Sequence, residues 1–237
     1  MELYSREYTI RSRDVNLFAR LRTSQLFELM QEAATDHSER LGVGIPEIRR
    51  QNLMWVLARQ SVEIARLPRY GEKIVLETWP GRTVHSLYPR YYRILDAVGE
   101  PLLSSAAIWM LVDRRERVLV PSSRSGIEFG FDKRGFEIAL PSPPRRFFTD
   151  QSRSFTVPFS YADMNGHMNN TRYFDLADDL CPAAAEGREA KGLVVEFAAE
   201  LLPGQSCELY YGMDRGRFYL KAGGDRPLFR LVIDYGE

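Results

Sequence analysis

The clearest pattern of apolar and polar residues in the first half of the chain predicts one long helix. Between Ser24 and Leu41 the apolar residues recur every three or four positions, which is typical of an amphipathic helix with one buried face. Thr23 or Ser24 is in position to cap its start, and Gly42 lies just past its end. The apolar positions are Leu26, Phe27, Leu29, Met30, Ala33, Ala34, His37 and Leu41.

Strand patterns follow this helix. β-branched and aromatic residues gather into runs that end at proline or glycine turns, which predicts strands. A helix followed by long strands with short turns indicates an α+β fold built on an antiparallel sheet. The predicted strands cover residues 54–65, 73–79, 86–95 and 102–112.

The second half of the chain repeats the first. An offset of 147 residues places Leu26 on Tyr173, and an offset of 135 places Pro68 on Pro203. The offset shrinks because the second copy has shorter connections. We therefore predict two copies of one helix-and-sheet unit. The N-terminal unit is predicted to span residues 1–131 and the C-terminal unit residues 151–237, with a proline- and arginine-rich linker at 132–150.

Polar residues of catalytic type are concentrated just before the second predicted helix. Asp163, Asn165 and His167 alternate, so in an extended backbone their side chains share one side. The residues of the first copy at the same 147 offset are Asn16, Phe18 and Arg20. Because only one copy keeps the polar set, we interpret it as functional rather than as a stabiliser of the turn.

Composition narrows the choice of partners. Hydrophobic residues make up 44% of the chain, charged residues 27%, and the formal net charge is zero, so bulk attraction to nucleic acid or anionic membrane is not expected. Arginines cluster at 49–50, 114–117 and 145–146, which predicts local basic patches. We find neither a secretory signal nor an apolar run near the roughly 18 residues of a membrane span, and predict a cytoplasmic protein.

The sequence predicts no metal and no cofactor. Cys181 and Cys207 lack CxxC or Cys/His spacing, so we expect free thiols. The string from Asp163 begins like a calcium-binding loop, but Met168 and Phe174 stand where that loop needs glycine and glutamate. A transition-metal site would lack a clear third ligand.

One string of residues resembles a known family. It is Asp163-x-Asn165-x-His167-x-Asn169-Asn170-x-x-Tyr173, followed by Glu196-Phe197-Ala-Ala-Glu200. With weaker landmarks at 55–59, 71–79 and 109–121, the chain resembles the acyl-ACP thioesterases over nearly its whole length. The resemblance implies a tandem hotdog fold, in which each antiparallel sheet wraps one long helix. It also implies a thioester hydrolase whose partner is acyl carrier protein; a homodimer is left open.

The resemblance implies a catalytic set of Asp163, Asn165, His167 and Glu200. Leu201 stands where the family pattern has also placed a cysteine, so we favour attack by water over a thiol nucleophile. The physical requirements agree, because thioester hydrolysis needs an activated water and a stabilised oxyanion. We expect Glu200 to lie on a strand among apolar neighbours.

Substrate contacts are expected on both halves. Backbone N–H groups near Asn169 and Asn170, one of which should cap the second helix, are natural oxyanion donors. Tyr173 lies in the same string. The first unit is expected to line an acyl tunnel, with Trp55 and Met30 in an apolar slot.

Several alternatives stay open at this point. The base can be Asp163 or Glu200, and Glu196 is a rival on the same predicted strand face. At the 135 offset Ala65 takes the place of Glu200 in the first copy. Acyl-CoA as substrate, a hotdog dehydratase acting on hydroxyacyl-ACP, and a non-catalytic acyl-binding protein are the competing functions.

Overall fold

The computed structural model describes residues 3–130, 139–224 and 226–236. The N-terminal elements are β1 (Tyr4–Thr9), α1 (Thr23–Arg40), α2 (Ile45–Arg50), β2 (Leu53–Ile64), β3 (Lys73–Pro80), β4 (Tyr88–Asp96), β5 (Pro101–Asp113) and α3 (Ser122–Ser125). The C-terminal elements are β6 (Gln151–Thr156), α4 (Arg172–Leu180), α5 (Pro182–Ala185), β7 (Gly192–Phe197), β8 (Ser206–Asp214), β9 (Arg217–Ala222) and β10 (Phe229–Asp234). The helix and the four strands predicted in the first half are confirmed.

The described strands form one antiparallel ten-stranded sheet in the order β1-β3-β4-β5-β2-β7-β10-β9-β8-β6. Read inward from either edge, the five strands of each half have the same order, and β2 joins β7 at the centre. α1 packs on the first half-sheet, and α4 contacts α1. The prediction of an α+β tandem hotdog with two repeats is therefore confirmed.

The two halves are related by an approximate two-fold axis at the β2–β7 junction. Ser61 faces Val194 across these strands, which places a residue opposite its own repeat counterpart at an offset of 133. Above the sheet, the rings of Phe27 and Phe174, counterparts at the 147 offset, are fully buried and stack with centroids 3.9 Å apart. Burial of both rings contributes hydrophobic stabilisation to the packing of α1 on α4.

The repeat alignment at the strand ends needs a correction. Ala65 and Ala198 each donate their backbone N–H to the carbonyl of a leucine at the beginning of the adjacent strand or just before it, β5 for Ala65 and β10 for Ala198. These acceptors are Leu102 and Leu228. The two alanines are therefore counterparts, at an offset of 133. Leu67 is therefore the counterpart of Glu200, and the alignment with Ala65, which relied on matching prolines, was wrong.

The predicted helix caps were also wrong. Arg22 occupies the N-cap of α1, in extended conformation and without a side-chain capping bond, so neither Thr23 nor Ser24 caps it. Thr171 is the N-cap of α4. Packing of the apolar face of α1, buried against the sheet, decides where this helix lies rather than capping.

The predicted linker falls partly on residues outside those described. The carbonyl of Pro141 accepts from Arg59 of β2, and further along Phe147 packs edge-on against Tyr219 and Asp150 donates its N–H to the Tyr211 carbonyl of the C-terminal half-sheet. The division at 1–131, 132–150 and 151–237 stays a prediction. In the described part of the chain, no helix combines the length and apolar character needed to cross a membrane.

Gly187 of the second half lies so close to Phe18 of the first half that an added side chain would clash, and a substitution can therefore test this contact. Gly187 has φ +75°, and a Cβ there would lie 2.5 Å from the Phe18 ring. We expect Gly187→Ala to lower the free energy of unfolding by about 1–3 kcal/mol through overpacking, in addition to the strain of a side chain at positive φ. Urea unfolding measures this loss.

Gly204→Ala is the matched control, because Gly204 has φ +78° and nothing within 4 Å of its Cβ position. It carries the backbone strain without the steric clash. Equal losses in the two variants would show that contact with Phe18 is not what requires glycine at 187.

Candidate active site

The structure brings His167 and Glu200 together. Nε2 of His167 lies 3.1 Å from Oε2 of Glu200, although the residues come from different elements. His167 sits in the turn before α4, and Glu200 sits in the connection after β7. The imidazole is 13% exposed and the carboxylate 40% exposed, so the pair is reachable by water and by a substrate.

The surroundings of Glu200 differ from the expected ones. β7 ends at Phe197, so Glu200 does not lie on that strand or among its apolar side chains. The prediction that it shares a strand face with Glu196 was therefore wrong. Glu196 instead accepts hydrogen bonds from Nε and Nη2 of Arg230. This structural ion pair separates Glu196 from the site.

The carboxylate of Asp163 organises the turn that carries His167. Its Oδ1 accepts the backbone N–H of Asn165 at 2.8 Å and that of His167 at 3.4 Å. The Asp163 N–H donates to the His167 carbonyl at 2.8 Å and closes the same turn. The Asn165 side chain reaches Oδ2 of Asp163 at 3.4 Å. Asp163 therefore acts on the backbone, and the imidazole is the group that meets Glu200.

The first copy contains the same turn. Oδ1 of Asn16 accepts the N–H groups of Phe18 at 3.0 Å and Arg20 at 3.2 Å. Asn16 thus does for its turn what Asp163 does for the other. Both copies therefore share the turn-closing acceptor, and the functional roles of Asp163, Asn165 and His167 stay predictions.

The first copy fills the corresponding place with an ion pair. Nε of Arg20, the counterpart of His167, lies 3.8 Å from Glu189, and its Nη1 donates to the carbonyl of Gly187. Leu67, the counterpart of Glu200, donates its backbone N–H to the same Glu189. The described contacts there are structural, because the cation is already neutralised by a carboxylate.

The two asparagines before α4 have different surroundings. Oδ1 of Asn169 accepts from the N–H and the hydroxyl of Thr171, and its N–H donates to the Tyr161 carbonyl. The prediction that Asn169 or Asn170 is the N-cap was wrong by a small shift, since Thr171 holds that place. Among the described contacts, the backbone N–H of Asn170 has no acceptor.

A cavity of about 570 Å³ opens beside His167 and Glu200. Its described lining includes Asn170, Tyr173 and Trp55, as the sequence indicated, but neither Met30 nor Asn169. Met30 is buried in the core, where Gln60 donates to its sulfur. The apolar walls come mainly from the first half, with Ile48, Leu53, Trp55, Leu57, Tyr88 and Met110 among them.

Tyr173 and Trp55 are held firmly in this wall. Tyr173 is 2% exposed and packs edge-on against Phe197 and Phe229, and burial raises the pKa of its hydroxyl. Trp55 donates its Nε1–H to the Val43 carbonyl at 3.0 Å. Both rings are therefore fixed surfaces rather than mobile side chains.

The sequence analysis expected an apolar slot, but the cavity also has a polar end. It extends to Arg90 on β4, three strands from β7 and therefore roughly 14 Å across the sheet. Arg90 is 5% exposed and donates to Thr78, Ser38 and Nδ1 of His37. Burial lowers the pKa of its guanidinium. The far end of the cavity is consequently polar.

Two arginines at the site were missed by sequence reasoning. Nη1 of Arg117 donates to Oε1 of Glu200 at 2.7 Å, and its Nη2 lies 3.5 Å from Nε2 of His167. Nη2 of Arg49 reaches Oδ1 of Asn165 at 3.4 Å. Both arginines belong to clusters that the sequence marked as basic patches. Their pairing with the other half could not be read from spacing along the chain.

Two hotdog units fused in one chain, with a histidine–carboxylate pair beside a cavity that both halves line, define a tandem hotdog protein with a candidate active site between its halves. The chain belongs to the acyl-ACP thioesterase family. The family model of the acyl-ACP thioesterase N-terminal domain matches residues 1–123, and that of the C-terminal domain matches residues 146–222.

Known proteins support the same placement. The palmitoyl-acyl carrier protein thioesterase of Gossypium hirsutum is 23% identical over 84% of this chain and 52% of its own length. The dodecanoyl-[acyl-carrier-protein] hydrolase of Cinnamomum camphora is 24% identical over 84% of this chain and 56% of its own. Both are chloroplastic. The chain thus spans about half the length of these curated relatives.

Solved structures show the same fold. An acyl-ACP thioesterase from Bacteroides thetaiotaomicron has a TM-score of 0.85 at 20% identity, covering 98% of this chain and 97% of that one. The 12:0-ACP thioesterase from Umbellularia californica has a TM-score of 0.80 at 21% identity, covering 98% and 96%. The fold of the whole chain is therefore shared, not that of one half only.

The Asn16 turn predicts how Asp163 should respond to substitution. Asp163→Asn keeps an oxygen that can accept the two backbone N–H groups, so we expect kcat for thioester hydrolysis to fall less than about tenfold. Asp163→Ala removes the acceptor and should lower kcat further. A loss in Asp163→Asn of about 10²-fold or more would instead identify this carboxylate as the base.

Proposed function

We propose that this chain hydrolyses acyl-acyl carrier protein to release a free fatty acid. The observation that carries the proposal is the contact between His167 and Glu200 at the wall of a cavity lined by both halves. A site of this kind holds the two groups needed to activate water next to a space for an acyl chain. Membership in the acyl-ACP thioesterase family supports the same activity.

His167 and Glu200 together activate the water. A thioester carbonyl is already electrophilic, so the enzyme must remove a proton from water as it attacks and return one to the leaving thiol. A water hydrogen-bonded to either group can lose its proton to the pair as the new C–O bond forms. Breakage of the C–S bond then yields the thiol of the carrier and the fatty acid.

The backbone N–H of Asn170 is our candidate for the oxyanion donor. The other N–H groups of the turn are engaged: that of Asn169 with Tyr161, and that of Thr171 with the Asn169 side chain. Asn170 lines the cavity next to the start of α4, where the helix dipole favours negative charge. The thioester carbonyl would therefore point toward the N-terminus of this helix.

The acyl chain would extend from this end along the walls of the first half. Apolar side chains line its middle portion, which suits an alkyl chain. We propose residues 1–131 as the unit that binds the chain and residues 151–237 as the unit that carries the water-activating groups. Trp55 and Tyr173 belong to the walls of this space.

Acyl carrier protein is the proposed partner. Carrier proteins of this kind are acidic, and Arg49 and Arg117 lie at the cavity with Arg114 and Arg115 exposed nearby in sequence. A local basic rim would attract an acidic partner despite zero net charge. A cytoplasmic location stays a prediction, since the compared relatives are chloroplastic, and so does pairing into a homodimer.

Product analysis tests the proposed activity. The purified protein is incubated with acyl-ACPs of several chain lengths, with the matching acyl-CoAs, and with a 3-hydroxyacyl-ACP. Free fatty acid released from acyl-ACP supports the proposal. Faster hydrolysis of acyl-CoA would identify acyl-CoA as the substrate class. An enoyl product from the hydroxyacyl probe would indicate a dehydratase. The absence of any product would favour a non-catalytic acyl-binding protein.

Substitution of either member of the pair should remove most of the activity. We expect His167→Ala and Glu200→Ala each to lower kcat by about 10²-fold or more, because each removes a group that moves or directs a proton. Circular dichroism and urea unfolding check that the fold is intact. Near-normal hydrolysis in either folded variant would remove that residue from the mechanism.

Salt should weaken carrier-protein binding. If the basic rim attracts acyl-ACP, raising ionic strength screens it, and KM for acyl-ACP is expected to rise. KM for an acyl-pantetheine, which carries the same thioester arm without phosphate or protein, is the control and should stay constant. An unchanged KM for acyl-ACP at high salt would contradict the docking proposal.

A further inference from the structure

Arg117 reaches the site from the half that carries neither His167 nor Glu200. We propose, on the basis of the function proposed above, that Arg117 is a positioning residue that holds the Glu200 carboxylate against His167. Its Nη1 contacts Oε1 of Glu200 at 2.7 Å, while Oε2 of the same carboxylate contacts His167 at 3.1 Å. The two oxygens thus have different partners, which fixes both the position and the rotation of the group.

Glu200 needs such a partner because its side chain is not enclosed by neighbouring residues. It lies beyond the end of β7 in a connection without regular secondary structure, and its side chain is 40% exposed. A half-exposed carboxylate samples several rotamers unless a specific contact selects one. The guanidinium of Arg117 selects the Glu200 rotamer that faces His167.

Arg117 itself is presented by a well-ordered turn. Oδ1 of Asp113, at the end of β5, accepts the backbone N–H groups of Arg115 at 2.9 Å and Glu116 at 3.0 Å, and the Asn52 side chain at 2.9 Å. The N–H of Arg117 donates to the Asp113 carbonyl at 2.9 Å. These bonds tie the base of the arginine to the central strands.

The backbone conformation of Arg117 is a second, independent observation. Its φ is +56°, in the left-handed region where glycine is cheaper than any other residue. A side chain that imposes strain on a turn is expected where the side chain has a task. The ion pair does not offset this strain through stability, because half-exposed pairs contribute only about 0–1 kcal/mol.

Loss of this contact should affect the chemical step more than binding. If the carboxylate turns away from His167, the two groups no longer direct one water together. Misplacement of catalytic groups by about 1 Å can reduce rates by about 10²-fold. The expected signature is therefore a lower kcat with little change in KM for an acyl-pantetheine, the substrate that lacks the carrier protein and so does not depend on the basic rim.

The test uses Arg117→Gly, which deletes the guanidinium and relieves the positive φ. We expect its free energy of unfolding to be equal to or above that of the wild type, while kcat for acyl-ACP falls about tenfold or more. Arg117→Lys, which keeps a cation, should recover part of kcat. Arg215→Gly, which makes the same change at an exposed arginine with φ +45° outside the described cavity lining, is the matched control and should leave kcat unchanged.

A double-mutant cycle with Glu200→Ala decides whether Arg117 acts through Glu200. In that background Arg117→Gly should change kcat by less than about twofold, because its target is gone. Additive losses, or a rise in KM for acyl-pantetheine that persists without Glu200, would overturn the proposal and indicate direct contact with the substrate arm. Wild-type protein that releases no acid from any thioester would instead refute the proposed function itself.

Discussion

The antiparallel pairing of β2 with β7 is the contact on which the rest of the structure depends. It joins two five-stranded half-sheets into one and places Ser61 opposite Val194, its own repeat counterpart. The same two strands deliver both sides of the site. β2 forms a wall of the cavity, and β7 leads directly into the connection that carries Glu200. Because a one-residue slip would turn every side chain to the opposite face, this register also determines what the cavity contains.

Duplication produced two equivalent places, and the chain uses them differently. Both copies have the same turn, closed by Asn16 in one and Asp163 in the other. The structural requirement is therefore an acceptor oxygen at that position, which either residue provides. The divergence lies four residues further on: one copy has the imidazole of His167 facing a carboxylate, and the other has Arg20 facing Glu189. The first copy has an arginine where the second has an imidazole, and the contacts of Arg20 with Glu189 and the Gly187 carbonyl join the two halves.

Features that depend on local patterning could be predicted from the sequence. Periodicity located α1 and the first-half strands, and the repeat at the 147 offset aligns Phe27 with Phe174 but does not predict that their rings stack. The Ala65 alignment failed because prolines stop strands at slightly different places in the two copies. Arg117 was missed for another reason. Its partner is 83 positions away and in the other half, and no periodicity encodes which charged side chains meet across a seam.

The arrangement at the seam argues against a strict division into a binding half and a chemical half. The cavity walls come mainly from the first half, yet Arg117 and Arg49 of that half also contact Glu200 and Asn165. The C-terminal half in turn supplies Tyr173 to the cavity wall. A carboxylate on an irregular connection keeps one orientation only if something outside that connection fixes it. Fusing the two units in one chain guarantees that the turn after β5 and the connection after β7 always face each other, which ties the geometry of the site to the integrity of the central sheet.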